Sequence, residues 1–110
     1  RYANSFNRWF AGQAESLSGE VMDSTTPGHT VLSFREAVGP VGAITPWNFP
    51  AAMITRKAAA AFAAGCTLVV KPAQQTPFTA LALAELAWEA GLPPEAFSVV
   101  TGEAGPIGAR

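Results

Sequence analysis

A single cysteine, Cys66, and a single histidine, His29, stand among 110 residues. One thiol cannot close an internal disulfide, so a reducing, cytoplasmic setting is expected. One imidazole without a second ligand beside it forms no metal site, and His29 reads as a solvent-facing loop residue. Charged side chains are scarce as well, at 14 %, with a formal net charge of −1. That balance favours neither nucleic acid nor an anionic membrane as a partner. No apolar run approaches the length that crosses a bilayer, and no signal peptide opens the chain. The chain begins at Arg1 without a methionine and stops at Arg110, two residues past a Gly-Pro-Ile-Gly turn that reads as the start of another helix. Both ends are read as cuts in a longer polypeptide.

What remains is apolar. Hydrophobic residues make up 49 % of the sequence, which suits about one core-forming domain. Tyr2, Phe6, Trp9, Phe10 and Leu17 fall near helical spacing, so residues 2 to about 17 are predicted as an amphipathic helix ending at Gly19. An aromatic stripe of this kind reads as core or interface packing. Residues 20–29 are predicted as a loop around Thr25-Thr26-Pro27-Gly28. Residues 30–38 alternate as a strand, which Gly39-Pro40 breaks.

From residue 41 the pattern is regular. Residues 41–45 form a short strand, and Pro50 to Ala64 a helix with proline in its first turn and Gly65 just past its end. Ile54, Ala58 and Phe62 supply its buried stripe. Thr67-Leu68-Val69-Val70-Lys71 is a continuous apolar run of the kind covered on both faces of a parallel sheet. Thr76 before Pro77 predicts an N-cap, and the helix runs through Ala90 to Gly91. After a Pro93-Pro94 turn, residues 97–100 are a third short strand. The expected fold is α/β: a βαβαβ portion of a Rossmann-like parallel sheet, preceded by a helix and an extra strand.

In such a sheet the segments that follow each strand gather along one edge. Here they are Pro46-Trp47-Asn48, Lys71-Pro72-Ala73-Gln74 and Gly102 to Gly105. A crevice lined by an aromatic, a carboxamide, a lysine and a glycine loop suits a nucleotide. The usual G-x-G-x-x-G fingerprint is missing after the first strand, where Pro46-Trp47-Asn48-Phe49-Pro50 stands instead. The two prolines are expected to stiffen this turn and hold the residues before them extended. Each site residue keeps a plainer reading. Asn48 either faces a ligand or caps the next helix. Lys71 either reaches ribose or phosphate or snorkels at the sheet edge. Arg56, in the second turn of the helix after Asn48, either grips a carboxylate or is solvated. Cys66 lacks a neighbouring base and reads as a small core residue.

The longer motifs add a resemblance. Gly-Ala-Ile-Thr-Pro-Trp-Asn-Phe-Pro (42–50), Ala-Ala-Gly-Cys-Thr-Leu-Val-Val-Lys-Pro-Ala (63–73), Gln-Thr-Pro (75–77) with Ala-Leu-Ala-Leu-Ala-Glu-Leu-Ala (80–87), and Phe-Ser-Val-Val-Thr-Gly (97–102) resemble the aldehyde dehydrogenase superfamily. The likeness covers essentially the whole chain. Ala-Met-Ile-Thr-Arg-Lys (52–57) and the stretch through Thr-Pro-Phe-Thr-Ala (76–80) are most similar to the succinate-semialdehyde branch.

The resemblance implies an NAD(P)-dependent enzyme in which a cysteine thiolate attacks an aldehyde, hydride passes to the cofactor, and water releases the acid. It implies that Asn48 holds the oxyanion and that Lys71 reaches the adenosine ribose. Trp47, Asn48 and the Lys71, Pro72, Ala73, Gln74 segment would supply cofactor-binding backbone, and Arg56 would hold the substrate's far carboxylate. Gln74 stands where NAD-selective members often carry glutamate, so NADP is the expected cofactor, with NAD the alternative. The family's nucleophile and general base lie downstream, and Cys66 matches a structural position. The fragment alone is therefore expected to be inactive. Residues 1–29 are read as an N-terminal helix and loop, 30–40 as a strand of the oligomerisation region needing partners outside the chain, and 41–110 as a partial NAD(P)-binding domain. A homo-oligomer, dimer or tetramer, is implied for the full-length protein. The alternatives are an enzyme for another small aldehyde, such as glutarate semialdehyde, or a non-catalytic nucleotide-binding member of the fold.

Overall fold

The structure is a computed structural model, and it describes residues 1–108. Helix α1 spans Tyr2–Ala14. Two short strands follow, β1 at Glu20–Asp23 and β2 at Thr30–Ser33. They pair antiparallel, with Glu20 opposite Ser33 and Asp23 opposite Thr30. The segment read as a loop over 20–29 therefore contains a strand. The extra strand expected over 30–38 is shorter than predicted, and it finds its partner within the chain. Val21-Met22 is too short a β-prone pair to signal a strand by itself. Pairing across the turn at Thr26–His29, closed by the His29 N–H to the Thr26 carbonyl at 3.2 Å, makes it one. His29 is exposed there, as expected.

The second sheet contains β3 (Val41–Ile44), β4 (Leu68–Lys71) and β5 (Phe97–Val99), hydrogen-bonded in that order and parallel throughout. Helix α2 (Pro50–Ala63) links β3 to β4, and α3 (Pro77–Glu89) leads to β5 through a 3₁₀ turn at Pro94–Ala96. This is the expected βαβαβ order. Helix α2 begins with proline, whose missing N–H costs nothing in the first turn. Beyond its end Gly65 has φ +75°, a left-handed conformation that favours glycine. A last short helix, α4, spans Ala104–Gly108. It takes in Gly105, so the predicted glycine loop after β5 ends earlier, around Gly102. The rest of the helix start predicted at the carboxyl end, residues 109–110, lies outside the described residues.

The core lies between one face of this sheet and the helices. Ala43, Leu68, Val70 and Phe97 point inward and meet Ile54, Ala58 and Ala61 of α2 and Ala80 and Ala84 of α3. Phe62 stands edge-on to Phe97, with ring centroids 5.5 Å apart. Small alanines let both helices approach the sheet closely. The opposite face is partly open: Ile44 is 67 % exposed and Val69 40 %, while Lys71 is buried. Along β4 Leu68, Val70 and Lys71 are buried and Val69 is exposed, so within this chain the second face of the run expected to be covered on both sides is covered only at Lys71. Helix α1 buries no residue fully; its Phe6 and Phe10 are half-buried and its Tyr2 and Trp9 exposed. Its stripe is an interface stripe. Among the described residues no helix is long and apolar enough to cross a membrane.

Candidate functional site

The ends of β3 and β4 coincide. Ile44 is registered with Lys71, and the Thr45 N–H donates to the Lys71 carbonyl at 3.1 Å. Thr45 is itself buried. The chain beyond it, Pro46-Trp47-Asn48-Phe49, therefore leaves the sheet beside the start of the Lys71–Gln74 segment. Likewise the Val100 N–H donates to the Val70 carbonyl at 2.8 Å and brings the end of β5 to the same edge. Parallel pairing thus gathers the three post-strand segments on one side.

Asn48 is exposed, and it does not cap the helix after it. The N-cap position belongs to Phe49, which makes no side-chain cap bond. Phe49 has φ 53° and ψ 54°, and it is the one non-glycine with positive φ among the described residues. The proline rule predicted an extended residue before Pro50. The structure corrects this. A left-handed residue costs about 1–3 kcal/mol, and such strain collects where a turn must present a side chain. Here the sharp reversal frees the Asn48 carboxamide from a local role. Its N–H₂ group offers two donors at the sheet edge.

Lys71 is the contrasting member. Its side chain is only 6 % exposed, and Nζ donates to the Pro72 carbonyl at 3.0 Å. An ammonium carries three donors, and burial makes those without a partner costly. A lysine that snorkelled at the edge would be exposed, so that reading does not describe this residue. Buried donors at the end of a strand fit the hydroxyls of a nucleotide ribose. The turn after β3 fits a pyrophosphate poorly, since it has no glycine and Pro50 has no N–H. Pro72 is buried, Ala73 half-buried and Gln74 exposed, and the Thr76 N–H closes their loop on the Ala73 carbonyl at 3.1 Å.

Arg56 is exposed on α2. Its guanidinium sits over the Phe6 ring of α1, 5.6 Å from the centroid. Phe6 meets Tyr2 edge-on at 5.2 Å, and Tyr2 meets Phe49 at 6.5 Å. An aromatic row thus connects Arg56 to the residue after Asn48. Sequence reasoning missed this row. The stripe on α1 was visible, but the face of α2 it would meet was not. Cys66 is buried, with Sγ 3.9 Å from the Ala64 carbonyl, as a core residue should be. An apolar groove of 520 Å³ between α1, α2 and α3, lined by Ile54, Phe62, Leu83 and Phe97, includes neither Asn48 nor Lys71. It belongs to helix packing.

The aldehyde dehydrogenase family model matches residues 1–110. The chain belongs to the aldehyde dehydrogenase family. It is 57 % identical over 107 residues to the succinate semialdehyde dehydrogenase of Acinetobacter baylyi, covering 97 % of this chain and 22 % of that protein. It is 54 % identical over 107 residues to the glutarate-semialdehyde dehydrogenase of Pseudomonas aeruginosa, with the same coverage. Identity is 56 % over 111 residues to an NADP+ succinate-semialdehyde dehydrogenase of Escherichia coli, again 97 % of this chain and 22 % of that one. Among solved structures, an aldehyde dehydrogenase of Brucella melitensis biovar abortus superposes with a TM-score of 0.95 at 54 % identity, over 98 % of this chain and 22 % of that one. The chain therefore spans about a fifth of the length of these aldehyde dehydrogenases. Its parallel sheet and helices have the fold of their cofactor-binding region.

Proposed function

We propose that the full-length protein oxidises succinate semialdehyde to succinate, with NADP+ as the preferred acceptor and NAD+ as the alternative. This chain supplies part of its nucleotide and oxyanion site. What supports the proposal is the common edge of β3 and β4, from which the segments that carry Asn48 and Lys71 both leave the sheet. A nicotinamide cofactor, when bound, would supply hydride acceptance. Within the chain, the Asn48 carboxamide donates to the aldehyde oxygen as negative charge develops on it, where such a donor counts most. The Lys71 ammonium would hold the ribose hydroxyls, and Trp47, Asn48, Pro72, Ala73 and Gln74 would line the dinucleotide. Neutral Gln74 leaves room for a 2′-phosphate. Arg56 holds the far carboxylate of the substrate by paired hydrogen bonds. The nucleophile and general base come from the remainder of the polypeptide.

Residues 41–110 act as part of the NAD(P)-binding domain, with 1–29 an N-terminal helix and loop whose helix packs on α2 and 30–40 contributing to oligomerisation. We assign the full-length protein to the cytoplasm as a homo-oligomer. A second reading, glutarate semialdehyde as substrate, is favoured by the similarity to the Pseudomonas enzyme. Both substrates carry a far carboxylate, and they differ by one methylene. The test is turnover by the full-length protein of succinate semialdehyde, glutarate semialdehyde and butanal. Arg56→Ala should raise KM for the carboxylated substrates at least tenfold and leave butanal nearly unchanged. An Arg56→Ala protein with an unaltered KM for both semialdehydes would remove the substrate assignment.

A further inference from the structure

Thr55 and Arg56 are consecutive on α2, and both engage α1. Thr55 Oγ1 donates to the Ala3 carbonyl at 2.9 Å, a bond between residues 52 apart in sequence. Arg56 then lies over the ring of Phe6, one helical turn beyond Ala3. Thr55 is buried, Phe6 half-buried and Arg56 exposed. The buried threonine fixes how far α2 sits along α1, and the ring meets the guanidinium that this register delivers. Phe6 is itself braced edge-on by Tyr2. A free arginine side chain has many rotamers, and immobilising it on binding costs affinity. An aromatic face under the guanidinium removes part of that cost beforehand and leaves the edge N–H groups open to a carboxylate.

We propose that Phe6 is a positioning residue for the ω-carboxylate of the substrate, acting through Arg56. It makes no contact with substrate. It holds the guanidinium in the orientation that grips a carboxylate, so helix α1 contributes to selection of carboxylated over plain aldehydes. The inference rests on the proposed role of Arg56.

The experiment measures kcat and KM of the full-length enzyme for succinate semialdehyde and for butanal, in Phe6→Leu, Phe6→Tyr and Arg56→Ala proteins. Phe6→Leu should raise KM for succinate semialdehyde about fivefold, the size of a contact worth about 1 kcal/mol. Its kcat and its KM for butanal should stay within about twofold. Phe6→Tyr, which keeps the π face, should restore the parent KM. Turnover of butanal reports the folded state of each variant. If Phe6→Leu does not fold, Phe6→Tyr and Phe6→Met are compared in its place, with Met expected to show the selective KM rise. An equal effect on both aldehydes, or none on either, overturns the role of Phe6 while Arg56→Ala remains selective. If Arg56→Ala is itself unselective, the substrate reading falls and this inference falls with it.

Discussion

Ile44 and Lys71 face one another on the last rung of the β3–β4 ladder, and the Thr45 N–H closes that rung on the Lys71 carbonyl at 3.1 Å. This rung fixes where the two post-strand segments begin. It ends two strands at one level, so the carboxamide that follows one and the ammonium that ends the other belong to one sheet edge. Neither residue needs a motif to be placed there; parallel pairing does it.

Lys71 is buried, with one backbone carbonyl as its hydrogen-bond partner. A hydrogen bond to a charged group is worth about 1.5–3 kcal/mol. Lys71→Met keeps the length of the stem and removes the donors. In the full-length protein it should raise KM for NADP+ by about 10–100-fold. The unfolding midpoint without cofactor should not fall, because a buried ammonium with few partners adds little to stability. Titration with NADP+ and denaturant unfolding check the two halves separately.

Gln74 is exposed on the loop after Lys71. Gln74→Glu places a carboxylate where the proposal puts the 2′-phosphate of NADP+. Like charges about 4 Å apart repel by about 1–4 kcal/mol between bulk water and a protein surface. The ratio of kcat/KM for NAD+ over NADP+ should therefore rise at least about fivefold. The effect should shrink in high salt, since the site is open to solvent. Parallel kinetics with both cofactors at two ionic strengths decide it.

Thr76 occupies the N-cap position of α3, as its sequence suggests, yet makes no side-chain cap bond, and its Oγ1 is buried without a partner. A capping hydroxyl would cost about 1 kcal/mol to remove. An orphaned one costs nothing to replace with an apolar group of the same shape. Thr76→Val should leave the denaturation midpoint unchanged or raise it. A clear drop would mean that the hydroxyl caps after all.

Much of the architecture was legible because local signals agreed. Pro50 and Gly65 bracket α2, Pro77 opens α3, and the apolar runs at 41–45, 67–71 and 97–100 mark the three parallel strands within a residue or two. Topology then implied the shared edge of Asn48 and Lys71. What was hidden depended on partners. The strand at Glu20–Asp23 exists through its pairing with Thr30–Ser33. The left-handed Phe49 contradicts the usual effect of a following proline, because the turn after β3 must reverse before α2 begins. The burial of Lys71 and the stacking of Arg56 on Phe6 depend on packing between segments distant in sequence. No local pattern encodes either.

Asn48 is the one proposed catalytic donor within this chain. Loss of one oxyanion donor typically costs about 10²–10³ in rate, because the donor acts on charge that develops only as the reaction proceeds. The decisive measurement is single-turnover formation of reduced cofactor by full-length Asn48→Ala protein, saturated with NADP+ and mixed with succinate semialdehyde. The expected rate is lower by about 10²–10³, with the dissociation constant for NADP+ within about twofold of the parent. A single-turnover rate equal to that of the parent would contradict that role of Asn48.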